Sequence, residues 1–377
     1  MRVLIQGRIE LQKGKGGGDM IQIENTMNEL KELRVEVDFK PYPGFDPEGY
    51  DIVHIFQLDW TPETYIYADL ANKRGIPIVI SPIHHSVKEV KRFDDEYVFD
   101  FRRLSGFLFE DQFSRDTLKN IYRSFFNPQK LYSTMLSARM GFKNMQTKIL
   151  TMAAAVLVQT NLEAQDLKET FNVDFSWYKI PNGVSSAFLD TSNFKNRFDF
   201  EDYVICVGRL EPRKNQIKII EAVNLLRQKT QKDIKLVLVG SKSPRNHFEY
   251  TYRLNQQLKK YDWVKHIDYI PNSEMPGLYK FAKVGVSASW FETTGLTSLE
   301  AVFCGTNAVA SGDRAKEYLG DYASFCDPGS VESILSAVES QYFKPRPKID
   351  ESIKNEYTWK NAAKMTLTAY NQVLNRK

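Results

Sequence analysis

At 377 residues the chain is too long for one ordinary hydrophobic core, and at roughly 150 residues per domain it divides into about two, which excludes a single small binding module. With 42% hydrophobic and 26% charged residues it lies well away from the composition of disorder. Lys+Arg of 51 against Asp+Glu of 47 leaves only +4, so no field of one sign covers the molecule, which argues against a dedicated nucleic-acid binder.

Val3-Leu4-Ile5 reads as a short strand, followed by the loop Gly14-Lys15-Gly16-Gly17-Gly18-Asp19 and a helix carrying Ile23, Met27, Leu30 and Leu33 at helical spacing. Apolar runs at 35–39, 52–55 and 76–80, with a helical pattern over 65–73, continue an alternation that means a parallel sheet covered by helices. Between 86 and 150 this rhythm gives way to a helical, aromatic region, and 153–158 returns to a strand. Turn chemistry at Ile180-Pro181-Asn182-Gly183 and a polar stretch through Asn193, Lys195, Asn196 and Arg197 mark a domain boundary. The second half starts over, with strands at 204–207, 234–239, 284–287 and 308–310 and helices at 216–226, 248–258 and 297–303. Two doubly wound α/β units in tandem follow, with any ligand expected at the carboxyl ends of the strands, in the cleft between them.

Cys206, Cys304 and Cys326 form no CxxC pair, which fits three small core residues in a reducing compartment rather than a disulfide scaffold or structural zinc. The N-terminus meets Arg8 too soon for a signal-peptide core, and the best later apolar run, 149–158, is far short of a membrane span. A cytoplasmic location, free or at the inner face of a membrane, is expected.

Three segments carry candidate chemistry. Gly16-Gly17-Gly18 lies between the first strand and helix, where backbone N–H groups can approach an anion; it matches neither G-x-G-x-x-G nor a P-loop, and an ordinary flexible turn is an equal reading. Val207-Gly208-Arg209-Leu210-Glu211-Pro212-Arg213-Lys214-Asn215 puts three cations in the loop after the second half's first strand. An arginine fork and a lysine point charge suit a departing diphosphate, whereas the bland alternative is a solvated turn with an Arg–Glu pair. Trp290 to Ala301 contains Glu292 and Glu300, separated by seven residues. With a helix starting near Leu296, Glu292 lies in the loop and Glu300 in the second turn, and Thr293, Thr294 and Gly295 leave the first N–H groups free for an oxygen-rich ligand; standing alone, the segment reads better as a polar loop and one helix glutamate.

Taken in order, Ile180-Pro181-Asn182-Gly183-Val184, Val207-Gly208-Arg209-Leu210 with Lys214-Asn215, Leu236-Val237-Leu238-Val239-Gly240, and Glu292 to Glu300 with Ala301 and Cys304-Gly305 give a chain that resembles the GT-B glycosyltransferases, specifically the retaining enzymes of glycosyltransferase family four. The glycine loop from Gly16 to Asp19 is similar to the family's N-terminal loop, and Tyr357-Thr358-Trp359 to the start of its closing helix. The resemblance implies two Rossmann-like domains facing a central cleft: 1–180 binding the acceptor, with a helical insertion at about 86–150; 181–358 binding a nucleotide sugar; and a helix over 359–377 crossing back to the first domain. It implies that Arg209 and Lys214 contact the diphosphate, that Glu300 binds the ribose hydroxyls, that Glu292 lies against the donor sugar, and that Gly208, Thr293, Thr294, Gly295 and Leu296 border the donor. The backbone at Ile270-Pro271 would line the base, and Gly17 and Gly18 would approach the phosphates. The family's N-domain histidine corresponds to His85 or His84 in Ser81-Pro82-Ile83-His84-His85-Ser86, with His85 slightly favoured. A UDP- or GDP-linked sugar is the expected co-substrate, with no cofactor and no metal, in keeping with the lack of an Asp-x-Asp triplet. The chain departs from the family after Ser311, where Gly312-Asp313-Arg314-Ala315-Lys316-Glu317 replaces a glycine pair followed by a glutamate. That puts the sugar contacts of this loop in question.

From Phe113 to Leu150 there are seven Lys/Arg and one acid, Asp116. The apolar positions Leu118, Ile121, Tyr122, Phe125 and Phe126, then Leu131, Met135 and Met140 after Asn127-Pro128, describe two amphipathic helices. Either the stripe packs on the sheet and the basic face is solvated, or the face meets an anionic membrane surface or a lipid-linked acceptor. Asp94-Asp95-Glu96 reads as an exposed loop with no metal. Three functions remain: a retaining glycosyltransferase acting on a glycan, lipid-linked or small acceptor, as in polysaccharide biosynthesis; another nucleotide-sugar enzyme such as an epimerase; or a non-catalytic two-lobed binder.

Overall fold

The computed structural model describes residues 1–13, 17–96, 109–124, 131–242 and 247–376. The expectations placed on Gly14, Lys15, Gly16 and residues 125–130 lie outside the described residues, as do the side chains of Lys119, Tyr122, Arg123 and Leu131. The described residues form two compact units, the first made of 1–87, 109–183 and 359–376, the second of 88–96, 184–242 and 247–358.

In the first unit β1 (Arg2–Gln6), β2 (Glu36–Phe39), β3 (Ile52–Phe56), β4 (Ile78–Ser81), β5 (Ala155–Val158) and β6 (Trp177–Lys179) pair in the order β2-β1-β3-β4-β5-β6, every neighbour parallel. All residues of β3, β4 and β5 are buried, because a parallel sheet is covered on both faces, and those strands accordingly read as apolar runs. The helices of this unit are α1 (Gly18–Glu32), α2 (Thr61–Lys73), α4 (Gln112–Ser124), α5 (Leu131–Met140), α6 (Phe142–Met152) and α7 (Asn161–Phe171), whereas α3 (Val87–Glu96) groups with the second unit from residue 88 onward. Thr160 caps α7, its hydroxyl accepting from the Glu163 N–H at 3.1 Å. The Glu163 carboxylate accepts from the N–H groups of Gln159 (2.7 Å) and His84 (2.8 Å), so one capping box also fixes the turn after β4.

The second unit contains β7 (Tyr203–Val207), β8 (Leu236–Val239), β9 (Val264–Ile267), β10 (Ala282–Val286), β11 (Asn307–Ser311) and β12 (Ala323–Cys326), in the order β12-β11-β10-β7-β8-β9 and all parallel. Alternate residues feed opposite cores: Tyr203, Ile205, Val237 and Val239 on one face, Val204, Cys206, Leu236 and Leu238 on the other. Its helices after α3 are α8 (Gln216–Thr230), α9 (Phe248–Lys260), α10 (Met275–Phe281), α11 (Leu296–Phe303), α12 (Asp313–Leu319), α13 (Val331–Phe343) and α14 (Glu351–Glu356). The last helix, α15 (Trp359–Leu374), belongs to the first unit, where Tyr370 Oη lies 2.6 Å from Nδ1 of the buried His54 on β3. No helix among the described residues is long and apolar enough to cross a membrane.

Two sequence expectations need correction. The region from 86 to 150 is not one insertion of the first domain: its described residues 88–96 group with the second unit. Nor is Asp94-Asp95-Glu96 an exposed loop, since all three lie in α3 and Asp94 is buried. The cause of both is Phe93, which packs against Trp290 and Phe291 at ring distances of 6.0 and 5.5 Å, while Arg92 pairs with Asp327. The apolar anchor and the ion pair hold the helix within the second unit.

Candidate functional site

In each sheet the strand order reverses at one place, and the loops leaving the two strands there part in opposite directions, opening a crevice at the carboxyl edge. In the second unit that point lies between β7 and β10. The loop 208–215 leaves β7 and the loop 287–295 leaves β10, so the two strongest sequence motifs flank one switch point.

The glycines bring these loops close. Gly208 N–H donates to Val239 O at 2.9 Å, and a Cβ on Gly240 would stand 2.1 Å from Gly208 O. Gly240 also has φ of +142°, so no other residue fits there without moving backbone. Over Gly208 runs the stem of Lys214, whose Cε would lie 3.4 Å from a Cβ at that position. Lys214 Nζ then reaches the Glu292 carboxylate, where the two form an ion pair.

Glu292 has a second cation, Arg213, at 3.2 Å. Arg213 also pairs with Glu211 at 3.3 Å, donates to Phe291 O at 3.3 Å and lies over the Phe291 ring at 5.4 Å. Its own carbonyl accepts from Trp290 N–H at 2.9 Å. Burial alone would raise the Glu292 carboxyl; the charges of Lys214 and Arg213, with hydrogen bonds from Lys214 and Ser289, reverse that and hold it at about 2. Arg209 differs from these two. Its side chain is 62% exposed and touches only the edge of the network, 3.5 Å from Glu211.

Glu300 sits on α11, as the spacing predicts, with Tyr279 of α10 donating to it at 3.4 Å. Among the described residues no cation pairs with it, and burial pushes its carboxyl up to about 7 against that hydrogen bond. The α11 N-terminus corrects one expectation: Gly295 N–H is taken by Tyr318 Oη at 2.7 Å, and Leu296 N–H by Thr294 O at 3.0 Å, so these groups are not free. Thr294 is buried, Thr293 half-buried, and the Ile270 side chain belongs to the core beyond β9.

In the first unit the order reverses between β1 and β3. There Asp19 in the first turn of α1 holds Arg8 at 2.6 Å, and Arg8 lies over Trp60 at 5.2 Å. Asp19 also accepts from Gly17 N–H at 2.9 Å, whereas a Cβ on Gly18 would meet nothing within 4 Å. After β4 the chain passes Ile83 at φ of +44°, an uncommon conformation for a β-branched residue, and presents both histidines to Asp59. His84 Nδ1 is 2.6 Å from one Asp59 oxygen, and His85 Nδ1 is 3.2 Å from the other. The His84 side chain is 3% exposed and that of His85 29%, so only His85 offers a face. Desolvation would raise Asp59, but the two histidines hold it well below the usual carboxylate range.

The structure thus joins Lys214 to Glu292 and bonds Glu300 to Tyr279, while the sequence did not single out Arg213 as a partner of Glu292, Asp59 between the histidines, or Tyr279 and Tyr318. Asp59 stands three residues past β3, a position at a strand's carboxyl end that was itself a signal.

Comparison with known proteins follows this division. Residues 190–359 match the family model described as glycosyl transferases group 1. O-antigen chain mannosyltransferase B of Escherichia coli is 26% identical over 182 residues, 47% of each chain. A D-inositol 3-phosphate glycosyltransferase of Pseudarthrobacter chlorophenolicus is 26% identical over 245 residues, 61% of this chain and 58% of that one. The alignments thus cover about half the length of these curated relatives. Among solved structures, sucrose-phosphate synthase from Thermosynechococcus elongatus superposes with a TM-score of 0.71 at 14% identity over all of both chains. Anabaena HepE in complex with UDP gives 0.60 at 14% identity, over 100% of this chain and 99% of that one. At these identities the likeness is one of fold.

Proposed function

We propose, for a chain whose residues 190–359 belong to the glycosyl transferases group 1 and whose two units have the GT-B fold, that it is a retaining glycosyltransferase of family four, moving a sugar from a nucleotide diphosphate sugar to an acceptor hydroxyl. The observation that carries this is the Lys214–Glu292–Arg213 network at the switch point of the second sheet. A sugar-only binder has no use for cations stacked at that edge. Lys214 and Arg209 neutralise the diphosphate as it leaves, Glu300 accepts from the ribose hydroxyls, and Glu292 orients the donor sugar. That UDP or UDP-glucose occupies Anabaena HepE supports a nucleoside diphosphate here.

The chemistry runs on one face of the sugar. The bond from the anomeric carbon to the phosphate oxygen breaks, the acceptor oxygen forms its bond on the same face, and the acceptor proton passes to the departing phosphate oxygen. Glu292, paired twice and held ionised, steadies the oxocarbenium character and is not a glycosidase-type nucleophile. With two cations meeting the leaving charge, the proposed reaction is metal-independent.

A thermal-shift panel of nucleotides and nucleotide sugars tests the donor, since a ligand that binds only the folded state raises its stability by mass action. Stabilisation by one nucleoside diphosphate names the base, and indifference to all of them overturns the reading. Mass spectrometry of products with candidate acceptors separates transferase from epimerase. The exposed Met135, Arg139, Lys143 and Lys148 on α5 and α6 favour an anionic surface or lipid-linked acceptor beside the first unit. Failure to sediment with anionic liposomes at low salt removes that part.

A further inference from the structure

Lys214 and Arg213 both hold Glu292, yet their surroundings differ in a way that separates their tasks. The Lys214 chain crosses Gly208 and makes one ion pair, at its tip. Arg213 is tied on every side: two carboxylates, Phe291 O, the Phe291 ring, and its own carbonyl bonded to Trp290 N–H. One cation is free to exchange partners; the other is a staple between the loop after β7 and the loop after β10.

We propose that Arg213 is the positioning residue for Glu292, keeping its carboxylate ionised and in place while Lys214 leaves it for the donor's phosphates. This rests on the function proposed above. The exchange follows from charge: a diphosphate brought beside Lys214 carries more negative charge than one carboxylate and competes for the ammonium. Once Lys214 has moved, Glu292 is a largely enclosed acid, 16% exposed, and an acid without a cation in such a place takes up a proton. The other groups facing it do not replace the lysine. Ser289 donates a hydrogen bond without charge, Glu211 is itself an anion bound to Arg213, and the Tyr318 hydroxyl of α12 feels the negative charge of both Glu292 and Glu89 of α3. Among the described residues Arg213 is then the cation left on the carboxylate, and its rigid fork can serve Glu211 and Glu292 together.

The prediction is a pH effect confined to the donor complex. With Arg213→Met, which keeps an apolar stem over Phe291, kcat acquires an acid limb between about pH 5 and 6 that the wild type lacks, and falls about tenfold or more at pH 5.5, while the donor KM changes by less than about threefold. Arg213→Lys removes most of that limb. A kcat profile of Arg213→Met parallel to wild type from pH 5 to 8 overturns the proposal, and so does a loss lying wholly in donor KM, which would make Arg213 a phosphate ligand. A second measurement needs no turnover: a double-mutant cycle on thermal unfolding at pH 7, with Arg213→Met, Glu292→Gln and the pair. A coupling clearly different from zero is expected, and additive effects overturn the proposal. If no nucleotide sugar is turned over by the wild type while the cycle shows coupling, it is the functional reading that has failed.

Discussion

At the carboxyl edge of the second sheet an acid, Glu292, is held between a lysine and an arginine; at the same edge of the first sheet an acid, Asp59, is held between two histidines. Both acids sit on loops leaving strands at or beside a switch point, and both are held well below the ordinary carboxylate range by their partners. The difference is in the partners' charge. Lysine and arginine remain cations through the neutral range, whereas histidine is a cation only when protonated. Permanent positive charge therefore lies beside the acid of the second unit, which fits the phosphate-binding role proposed for it, whereas the acid of the first unit has imidazole partners.

The largest effect should come from removing that permanent charge. Lys214→Ala is expected to lower turnover of the donor by at least about a hundredfold, near 2.7 kcal/mol of barrier, and to shrink the thermal shift given by the nucleoside diphosphate. His85→Ala, its counterpart on the first unit, should lower turnover and leave that nucleotide shift intact. A loss within about tenfold for Lys214→Ala, or an equal loss of nucleotide binding in both variants, breaks the contrast.

Next in size is a pair of glycine substitutions. Gly240→Ala drives a Cβ into Gly208 O from a positive φ, and should destabilise the second unit by about 2–3 kcal/mol, measured by chemical denaturation. Gly18→Ala meets open space and should change stability by no more than about 0.5 kcal/mol. The same Gly18 change sharpens the site question, because activity lost without stability lost means that something passes close to that backbone.

How far the sequence reached follows from burial. The central strands of both sheets are legible because they are covered on both faces, so Ile52 to Phe56 and Leu236 to Val239 are apolar runs. The edge strands β6, β9 and β12, reading Trp177-Tyr178-Lys179, Val264-Lys265-His266-Ile267 and Ala323-Ser324-Phe325-Cys326, carry no such run, since half of each lies near solvent or loop, and none was expected. In the site, residues were legible where one motif contains them and not where partners come from distant segments. Glu292 and Lys214 announce themselves; that Arg213 rather than the exposed Arg209 shares Glu292 depends on which side chain the Phe291 ring covers.

Glu300 supplies a smaller, pH-dependent effect. Its carboxyl lies at about 7 in the folded protein against an ordinary 4.5, so between those values the folded state binds the proton that the unfolded state has released. Stability from this group is complete below about pH 4.5 and is lost as pH rises through about 7. Glu300→Gln should thus gain on wild type by about 1–2 kcal/mol between pH 5 and 8, an amount discounted for the carboxyl's partial exposure. An unchanging difference across that range would mean that Glu300 is already ionised. Glu292, its neighbour in the chain, behaves in the opposite sense, contributing stability above about pH 4.5 that is lost as pH falls toward 2.

The smallest effect concerns the anchor of α15 on the first unit. His54 is enclosed in β3, with Nδ1 on Tyr370 Oη at 2.6 Å and Nε2 on Ser81 Oγ at 2.8 Å. Burial lowers its pKa to about 3, so the ring is neutral and each nitrogen depends on one hydroxyl. Tyr370→Phe keeps the packing of the aromatic ring and strands Nδ1, a cost of about 1 kcal/mol and a fall of about 2 °C in the thermal midpoint. Because an unfolded histidine takes a proton near its ordinary 6.5 while this one does not, stability from its burial is complete above that value and declines as pH falls toward 3, in wild type and variant alike. A Tyr370→Phe penalty that shrinks on acidification would show that Tyr370, not burial, keeps the ring neutral. The first sheet's histidines would then divide by enclosure: His54 uncharged and structural beneath α15, His85 open at the edge beside Asp59.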